Sequence, residues 1–192
     1  MLLPIDENEE VILDIRYASR NNFVGRPIYD RGVALLRIEA HAAFHRALAR
    51  ARAIGLGFRV FDAFRPLEAQ STLWDAISDS SFVADPALGG THPRGIAIDL
   101  TLFDRATGRD LPMGTDFDAM TPLSAHAALN GLSPDAIRNR ALLLGIMTAT
   151  GWEPYEPEWW HYNLPARENF PAMAAADVPD GPLLVRSDGG IA

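Results

Sequence analysis

Two residues in the segment "GGTHPRGIAIDLTLF" have side chains that bind metal ions. His92 precedes a Pro-Arg-Gly turn, and Asp99 interrupts an apolar run seven residues later. In a strand that begins at Ile96, alternate residues point to opposite faces, so Asp99 is separated from the apolar positions that fill the core. A buried carboxylate needs a compensating partner. A chain reversal at the turn would bring His92 back beside Asp99, and imidazole with carboxylate suits a divalent metal.

The segment "EPEWWHYNL" offers a third ligand and a base. A catalytic zinc site uses three protein ligands, and His161 is a candidate for the third. Glu158 lies three residues earlier, where Pro157 indicates a bend that would turn the carboxylate towards the same site. A carboxylate beside a metal-activated water is the general base that a hydrolase requires.

Each of these residues also has a purely structural interpretation. His161 fits a satisfied core histidine, and Asp99 has a possible ion-pair partner in Arg94. Arg65, in "DAFRP", fits a salt bridge at the end of a helix.

The remaining histidines fit a metal site less well. His41 and His45 have the i, i+4 spacing of a helical zinc pair, but the Glu that follows the first His in zincins is missing. We therefore interpret this pair as part of a helix surface. His126 falls in a polar loop, where a structural role is favoured over a place near the site.

The elements that must position these residues alternate between helices and short strands. Predicted strands cover 9–18, 58–64, 95–102 and 158–164. Predicted helices cover 31–54, with Asp30 as its N-cap, then 66–77 and 134–150. Residues 78–90 are predicted to form a loop. This order favours an α+β domain with a small antiparallel sheet and flanking helices.

Composition excludes several classes of function. The 192 residues suit one domain. The absence of Cys excludes disulfides and thiolate sites, so any metal must be held by His and carboxylate. A net charge of −8 argues against binding to nucleic acid or anionic membranes. No apolar run approaches the ~20 residues of a membrane span. The acidic N-terminus lacks the features of a secretory signal, so we expect a cytoplasmic protein.

Four motifs in order resemble one enzyme family. "DAFRP", "THPRGIAIDLTL", "MGTDFD" and "EWWHY" are similar to motifs of the D-alanyl-D-alanine dipeptidases of the VanX type. These are zinc peptidases in the wider group of D-Ala-D-Ala metallopeptidases related to the hedgehog fold. "RYASRNNFVG" and "NRALLLGIM" extend the resemblance, which covers about residues 17–161.

The resemblance implies a role for each matching residue. His92, Asp99 and His161 would bind one Zn²⁺ per chain, Glu158 would be the general base, and Arg65 would stabilise the developing oxyanion. Asp118 and Tyr17 would hold the free ammonium of a small dipeptide substrate. The implied reaction is hydrolysis of D-alanyl-D-alanine to two D-Ala, in the context of peptidoglycan metabolism.

The resemblance is incomplete in three places, one of them Pro93, which follows His92 where the family more usually has Ser. Gly90 stands where the family often has Ser, so a side-chain hydroxyl is missing and we expect a backbone N–H to take its place. The stretch 172–192 has no counterpart, and we expect it to be a loosely structured C-terminal extension of a single zinc peptidase domain. Two other functions stay open: a carboxypeptidase acting on larger peptidoglycan peptides, and a zinc-stabilised binding module without turnover.

Overall fold

A central mixed sheet carries the apolar runs of the chain. The computed structural model describes residues 1–77, 85–86, 89–178 and 183. Within them the helices are α1 (Ile38–Ala53), α2 (Leu67–Ile77) and α3 (Pro134–Thr148). The strands are β1 (Leu2–Pro4), β2 (Val11–Leu13), β3 (Leu35–Arg37), β4 (Leu56–Asp62), β5 (Ala97–Asp104), β6 (Arg109–Asp110), β7 (Glu153–Pro154) and β8 (His161–Asn163).

The strands pair mostly in antiparallel fashion. The main sheet has the order β2-β4-β5-β8-β7, with β6 added to the end of β5. Only the pair β2–β4 is parallel among the pairs in the described part of the chain. β1 and β3 form a separate antiparallel pair. The predicted α+β class with a small antiparallel sheet and flanking helices is confirmed, and the parallel β2–β4 pair is a departure from the antiparallel pattern.

β5 is the central strand and is buried on both faces. Ile98, Leu100 and Leu102 belong to the main hydrophobic core, as the alternation of the sequence predicts. On the opposite face, Asp99 and Thr101 are also shielded from solvent. Burying a carboxylate in this position is unfavourable in free energy unless other groups compensate its charge. The face of the sheet that carries Asp99 must therefore also carry its partners.

Helix α1 begins later than the sequence pattern predicts. The predicted start at residue 31 is wrong, because residues 35–37 form strand β3 and pair with β1. Arg37, the N-cap, still has an extended backbone with ψ 152°. The helix ends as predicted, since Gly55 follows it with φ +79° and donates its N–H to the carbonyl of Arg52.

None of the helices in the described ranges has the length and apolar character of a membrane span.

Helix α3 begins where its sequence signals predict. The Ser133 hydroxyl accepts a hydrogen bond from the Ala136 N–H at 3.2 Å, and Pro134 occupies the first turn. The predicted strands at 9–18 and 158–164 are shorter in the structure. Only Val11–Leu13 and His161–Asn163 pair as strands, and a 3₁₀ turn at Arg16–Ala18 follows the first of these.

Part of the predicted C-terminal extension packs on the domain. The Met173 N–H donates to the Pro93 carbonyl at 2.8 Å, and the Met173 carbonyl accepts from Leu67 N–H. Val178 and Leu183 are buried in the core. The other residues of that prediction, 179–182 and 184–192, lie outside the described residues, as do 78–84 and 87–88 of the predicted loop.

Candidate active site

The register of the sheet places three ionisable side chains next to one another. Asp99 on β5 lies opposite His161 on β8 and opposite Asp62 on β4. The β4–β5 ladder shifts register between Val60 and Asp62. Such an irregularity re-aims side chains at the end of a strand, and here it brings the Asp62 carboxylate to the polar face. All three side chains are buried.

A tight turn supplies the fourth group, His92. It begins a 3₁₀ turn over His92–Arg94 that Gly95 closes, with the Gly95 N–H donating to the His92 carbonyl at 2.9 Å. Gly95 has φ +67°, and a Cβ there would lie 2.8 Å from the Leu2 side chain. The left-handed backbone favours glycine here, and a Cβ would also require the end of the Leu2 side chain to shift. The predicted reversal at Pro-Arg-Gly does return His92 to the side of Asp99.

His92, Asp99 and His161 form a cluster with the composition of a metal site. His92 Nε2 lies 3.2 Å from Asp99 Oδ2. His161 Nδ1 lies 3.0 Å from Asp99 Oδ1 and 3.1 Å from His92 Nε2. Burial on its own raises the pKa of Asp99, but the neighbouring His92 and the close contacts with both imidazoles hold it below its usual range.

Hydrogen bonds on the outer side orient the two imidazoles. His92 Nδ1 lies 2.6 Å from the Ala63 carbonyl, which can only accept, so Nδ1 carries the proton. The lone pair of Nε2 in the neutral ring then faces the cluster. His161 Nε2 lies 3.3 Å from the Thr91 hydroxyl, and its Nδ1 faces the same point. Burial lowers the pKa of His161, which favours the neutral, ligating form.

A buried network holds Arg65 beside this cluster. Its Nε and Nη2 donate to Asp62 Oδ2 at 2.9 Å each, and its Nη1 donates to Gln70 Oε1 at 3.1 Å. Asp62 also accepts from the Tyr29 hydroxyl at 3.0 Å. Nη2 lies 3.7 Å from Asp99 Oδ2. Neither Asp62 nor Gln70 is among the site residues predicted from the sequence. The signal was available in part, since Asp62 belongs to "DAFRP", three residues before Arg65.

Replacing Asp62 by Ala is expected to destabilise the fold by about 3 kcal/mol, because it leaves the buried Arg65 guanidinium without its main counter-ion. Urea denaturation followed by circular dichroism measures this change. The exposed pair of Arg59 and Asp110, with 2.8 Å between Nε and Oδ1, provides the matched control. Asp110→Ala should cost less than about 1 kcal/mol. Equal losses in the two variants would contradict the assigned importance of the buried pair.

Glu158 enters the site from a turn instead of a strand. It precedes β8, and the His161 N–H donates to the Glu158 carbonyl at 3.3 Å. This bend turns its carboxylate to within 3.9 Å of His161 Nδ1. Burial raises the pKa of Glu158 well above its usual value, and the charges of Asp99 and Asp118 add to the effect.

Tyr17 and Asp118 meet across 101 positions of sequence. The Tyr17 hydroxyl donates to Asp118 Oδ2 at 2.8 Å. Burial, reinforced by the charge of Asp118, raises the pKa of Tyr17 and keeps its hydroxyl protonated. Asp118 adopts a left-handed backbone with φ +58°, which is uncommon outside glycine. Burial and then the charge of Asp99 raise the pKa of Asp118 to about 7.

One cavity of about 230 Å³ brings all seven predicted site residues together. This volume is below the ~300–1,000 Å³ typical of sites for drug-sized ligands, so it suits a small molecule. Further lining residues were not predicted as site residues from the sequence: Phe23, Gln70, Thr91, Tyr155, Asn163 and Arg167, together with Gly90. Most of these additional residues lie in loops, where the sequence has no helical or strand periodicity that would predict their place.

The alternative histidines and Arg94 are not part of the cavity lining. His41 and His45 stack at the surface of α1, with their Nε2 atoms 3.3 Å apart, and neither lines the cavity. His126 packs against the Tyr162 ring, with 5.7 Å between ring centroids. Arg94, considered above as a partner for Asp99, instead donates to backbone carbonyls, among them that of Gly89 at 3.1 Å.

Comparisons with known proteins agree with one another. The D-ala-D-ala dipeptidase family matches residues 6–175. D-alanyl-D-alanine dipeptidase of Escherichia coli K12 is 40% identical over 162 residues, covering 84% of this chain and 83% of the relative. The enzymes of the same name from Enterococcus faecium and Streptomyces coelicolor are each 34% identical, covering 79% of this chain and 84% of the relative.

A solved structure also aligns with the chain. It is a mutant of the vancomycin resistance D,D-pentapeptidase VanY from a VanB-type cassette, in complex with Zn(II). It covers 72% of this chain and 76% of its own, at TM-score 0.44 and 17% identity. The family assignment follows from the sequence comparisons: this chain belongs to the D-ala-D-ala dipeptidase family.

Proposed function

We propose that this protein is a zinc-dependent dipeptidase that hydrolyses D-alanyl-D-alanine to two molecules of D-Ala. The observation that carries the proposal is the single small cavity that combines a His-Asp-His cluster, Glu158, Arg65 and the Tyr17–Asp118 pair. The curated relatives named for this activity support the same substrate.

The cluster fits a zinc ion. Zinc bound to N and O ligands at about 2.0–2.2 Å in tetrahedral geometry separates its ligand atoms by roughly 3.3 Å. His92 Nε2 and His161 Nδ1 lie 3.1 Å apart, which is close to this value, and each lies 3.0–3.2 Å from a different oxygen of Asp99. With one ligand atom from each residue, the three atoms lie within 4.8 Å of one another. When bound, zinc would supply Lewis acidity, which acidifies a water and polarises the scissile carbonyl. Its charge would also compensate the buried Asp99 carboxylate.

Two side chains of the protein would transfer the proton and stabilise the developing charge. Glu158 would accept the proton of the attacking water, a task suited to a buried carboxylate with a raised pKa. As the C–O bond forms, the guanidinium of Arg65 would stabilise the negative charge on the carbonyl oxygen. Glu158 would then deliver its proton to the leaving nitrogen as the C–N bond breaks. One water is consumed, and two amino acids leave.

Asp118 would set the length of the substrate. The free ammonium of a dipeptide would pair with the Asp118 carboxylate, which Tyr17 holds in place at 2.8 Å. An N-acylated or longer peptide has no ammonium there and would leave the buried carboxylate without a counter-ion. Buried unpaired groups of this kind discriminate strongly between substrates.

One observation favours a second candidate, a carboxypeptidase acting on longer peptides. Asp118 and Phe23 also line a neighbouring cavity of about 530 Å³, which would accept residues N-terminal to the scissile pair. The two functions differ in their preference for a free amine. A binding module without turnover has no use for Glu158 and Arg65 inside the cavity.

Replacing Asp118 by Asn is expected to lower kcat/KM for D-Ala-D-Ala by about 10- to 100-fold, because a charge-assisted contact is lost. The N-acetylated dipeptide should be affected far less. Since the pKa of Asp118 is raised to about 7, its carboxylate becomes protonated as the pH falls through neutrality. The ratio of wild-type to Asp118→Asn kcat/KM should therefore shrink below pH 7. A ratio independent of pH, with unchanged preference between the two substrates, would contradict this role.

The proposed function is tested by measuring release of free alanine, D or L according to the substrate, from D-Ala-D-Ala, N-acetyl-D-Ala-D-Ala and L-Ala-L-Ala with the zinc-loaded protein. We expect turnover of the first substrate and much weaker turnover of the other two. Equal or faster cleavage of the N-acetyl compound would favour the carboxypeptidase instead. Absence of cleavage of all three would refute the proposed function.

A further inference from the structure

The cavity contains a second arginine whose charge the proposed mechanism does not use. Arg65 and Arg167 are the cations among the described residues that line it. Asp62, Gln70 and the nearby Asp99 engage the Arg65 guanidinium. In contrast, no hydrogen bond or ion pair within the described ranges engages the guanidinium of Arg167, which lies on an exposed 3₁₀ turn at Arg167–Asn169.

The backbone that carries Arg167 is fixed against the wall of the site. Arg94 donates from Nε to the Gly89 carbonyl at 3.1 Å and from Nη1 to the carbonyls of Arg167 (3.3 Å) and Phe170 (2.5 Å). One side chain therefore joins the segment before His92 to the turn that carries Arg167. Ala166, in a left-handed conformation with φ +56°, directs the chain into this turn.

The charges of the cavity leave one end of a dipeptide without a partner. A dipeptide is a zwitterion, and Asp118 offers a counter-ion for its ammonium. Asp99 and Glu158 are acidic as well, so the cavity would repel a carboxylate unless a cation compensates. Gly90 lines the same wall and has no side-chain donor to offer. Arg167 lies with Thr91 and Asn163 in the lining and has the planar, permanently charged donors that bind carboxylates.

We propose that Arg167 binds the C-terminal carboxylate of the substrate and makes this protein selective for a free carboxylate. This assignment rests on the proposed dipeptidase function and adds the group that recognises the leaving amino acid. Arg94 is then a positioning residue, because it ties the Arg167 turn to the wall that bears His92. A substrate with an uncharged C-terminus would form no ion pair with Arg167 and would therefore bind without this contribution.

The test compares D-Ala-D-Ala with D-alanyl-D-alaninamide, which lacks the carboxylate, in the wild type and in Arg167→Met, both zinc-loaded. The wild type should favour the free acid in kcat/KM by about 10- to 100-fold, the range of a charge-assisted contact. Arg167→Met should lose that factor for the free acid while keeping its rate on the amide. Arg167→Lys, which restores a charge, should recover part of the preference. Arg109→Met, at an exposed position on β6, removes the same charge and should behave as the wild type.

The outcomes separate the two proposals. If the wild type cleaves D-Ala-D-Ala and Arg167→Met shows the same acid-to-amide ratio, the role of Arg167 is refuted while the dipeptidase function stands. If the wild type cleaves neither compound, the proposed function fails and this assignment fails with it. Loss of both activities to the same extent in Arg167→Met would also refute recognition of the carboxylate.

Discussion

Replacing Glu158 by Gln is expected to lower kcat for D-Ala-D-Ala by about 10²- to 10⁴-fold, the usual contribution of a general base. Gln keeps the size of the side chain and its place within 3.9 Å of His161, but it cannot accept a proton. Metal binding should be unchanged, since Glu158 is not part of the His-Asp-His cluster. Steady-state kinetics and metal analysis of the same preparation measure both quantities.

The matched control is Glu153→Gln on the exposed strand β7, five residues earlier in the chain. It removes the same charge outside the cavity and should leave kcat within about twofold of the wild type, as expected for a surface substitution. If Glu158→Gln turned over substrate at the wild-type rate with its metal bound, the general base would have to be another group.

Replacing Asp99 by Asn is expected to abolish activity by a different route, through loss of the metal. Asp99 lies between the two imidazoles, 3.0 Å from His161 Nδ1 and 3.2 Å from His92 Nε2. An amide is a poorer ligand than a carboxylate and carries no charge to balance the cation. Changing even an outer hydrogen-bond partner of a metal ligand costs about 10- to 100-fold in affinity, so loss of a ligand should cost more.

Competition with a chromophoric chelator measures that affinity. Asp75→Asn, at an exposed position of α2, serves as the control and should bind zinc as the wild type does. Excess zinc should restore little activity to Asp99→Asn, whereas Glu158→Gln should be inactive with its zinc in place. Wild-type affinity in Asp99→Asn would contradict the assigned metal site.

Much of the candidate site could be predicted from residue types. The alternation around Asp99 predicts a strand with one polar face, and the turn after His92 predicts a reversal. Both features depend on local chain geometry, which short sequence patterns report well. The bend at Glu158 was likewise indicated by Pro157, and the structure places the carboxylate outside strand β8.

The residues that support the site could not be predicted in the same way. Asp62 reaches Arg65 because of a register shift between β4 and β5, which depends on tertiary packing. The predicted start of α1 is wrong because residues 35–37 pair with β1 as a strand. Pairing with a distant strand therefore overrides the local helical preference of these residues. Arg167 lies on a short turn without periodicity, and its place in the cavity follows from the bonds that Arg94 makes to backbone carbonyls.

The most direct measurement is stoichiometric reconstitution. The protein is freed of metal by dialysis against a chelator, zinc is added in increments, and release of D-Ala from D-Ala-D-Ala is recorded at each step. We expect no activity without metal, a linear rise up to one equivalent of zinc per chain, and a plateau beyond it. Full activity in the metal-free protein, or activity that does not respond to zinc, would contradict the account.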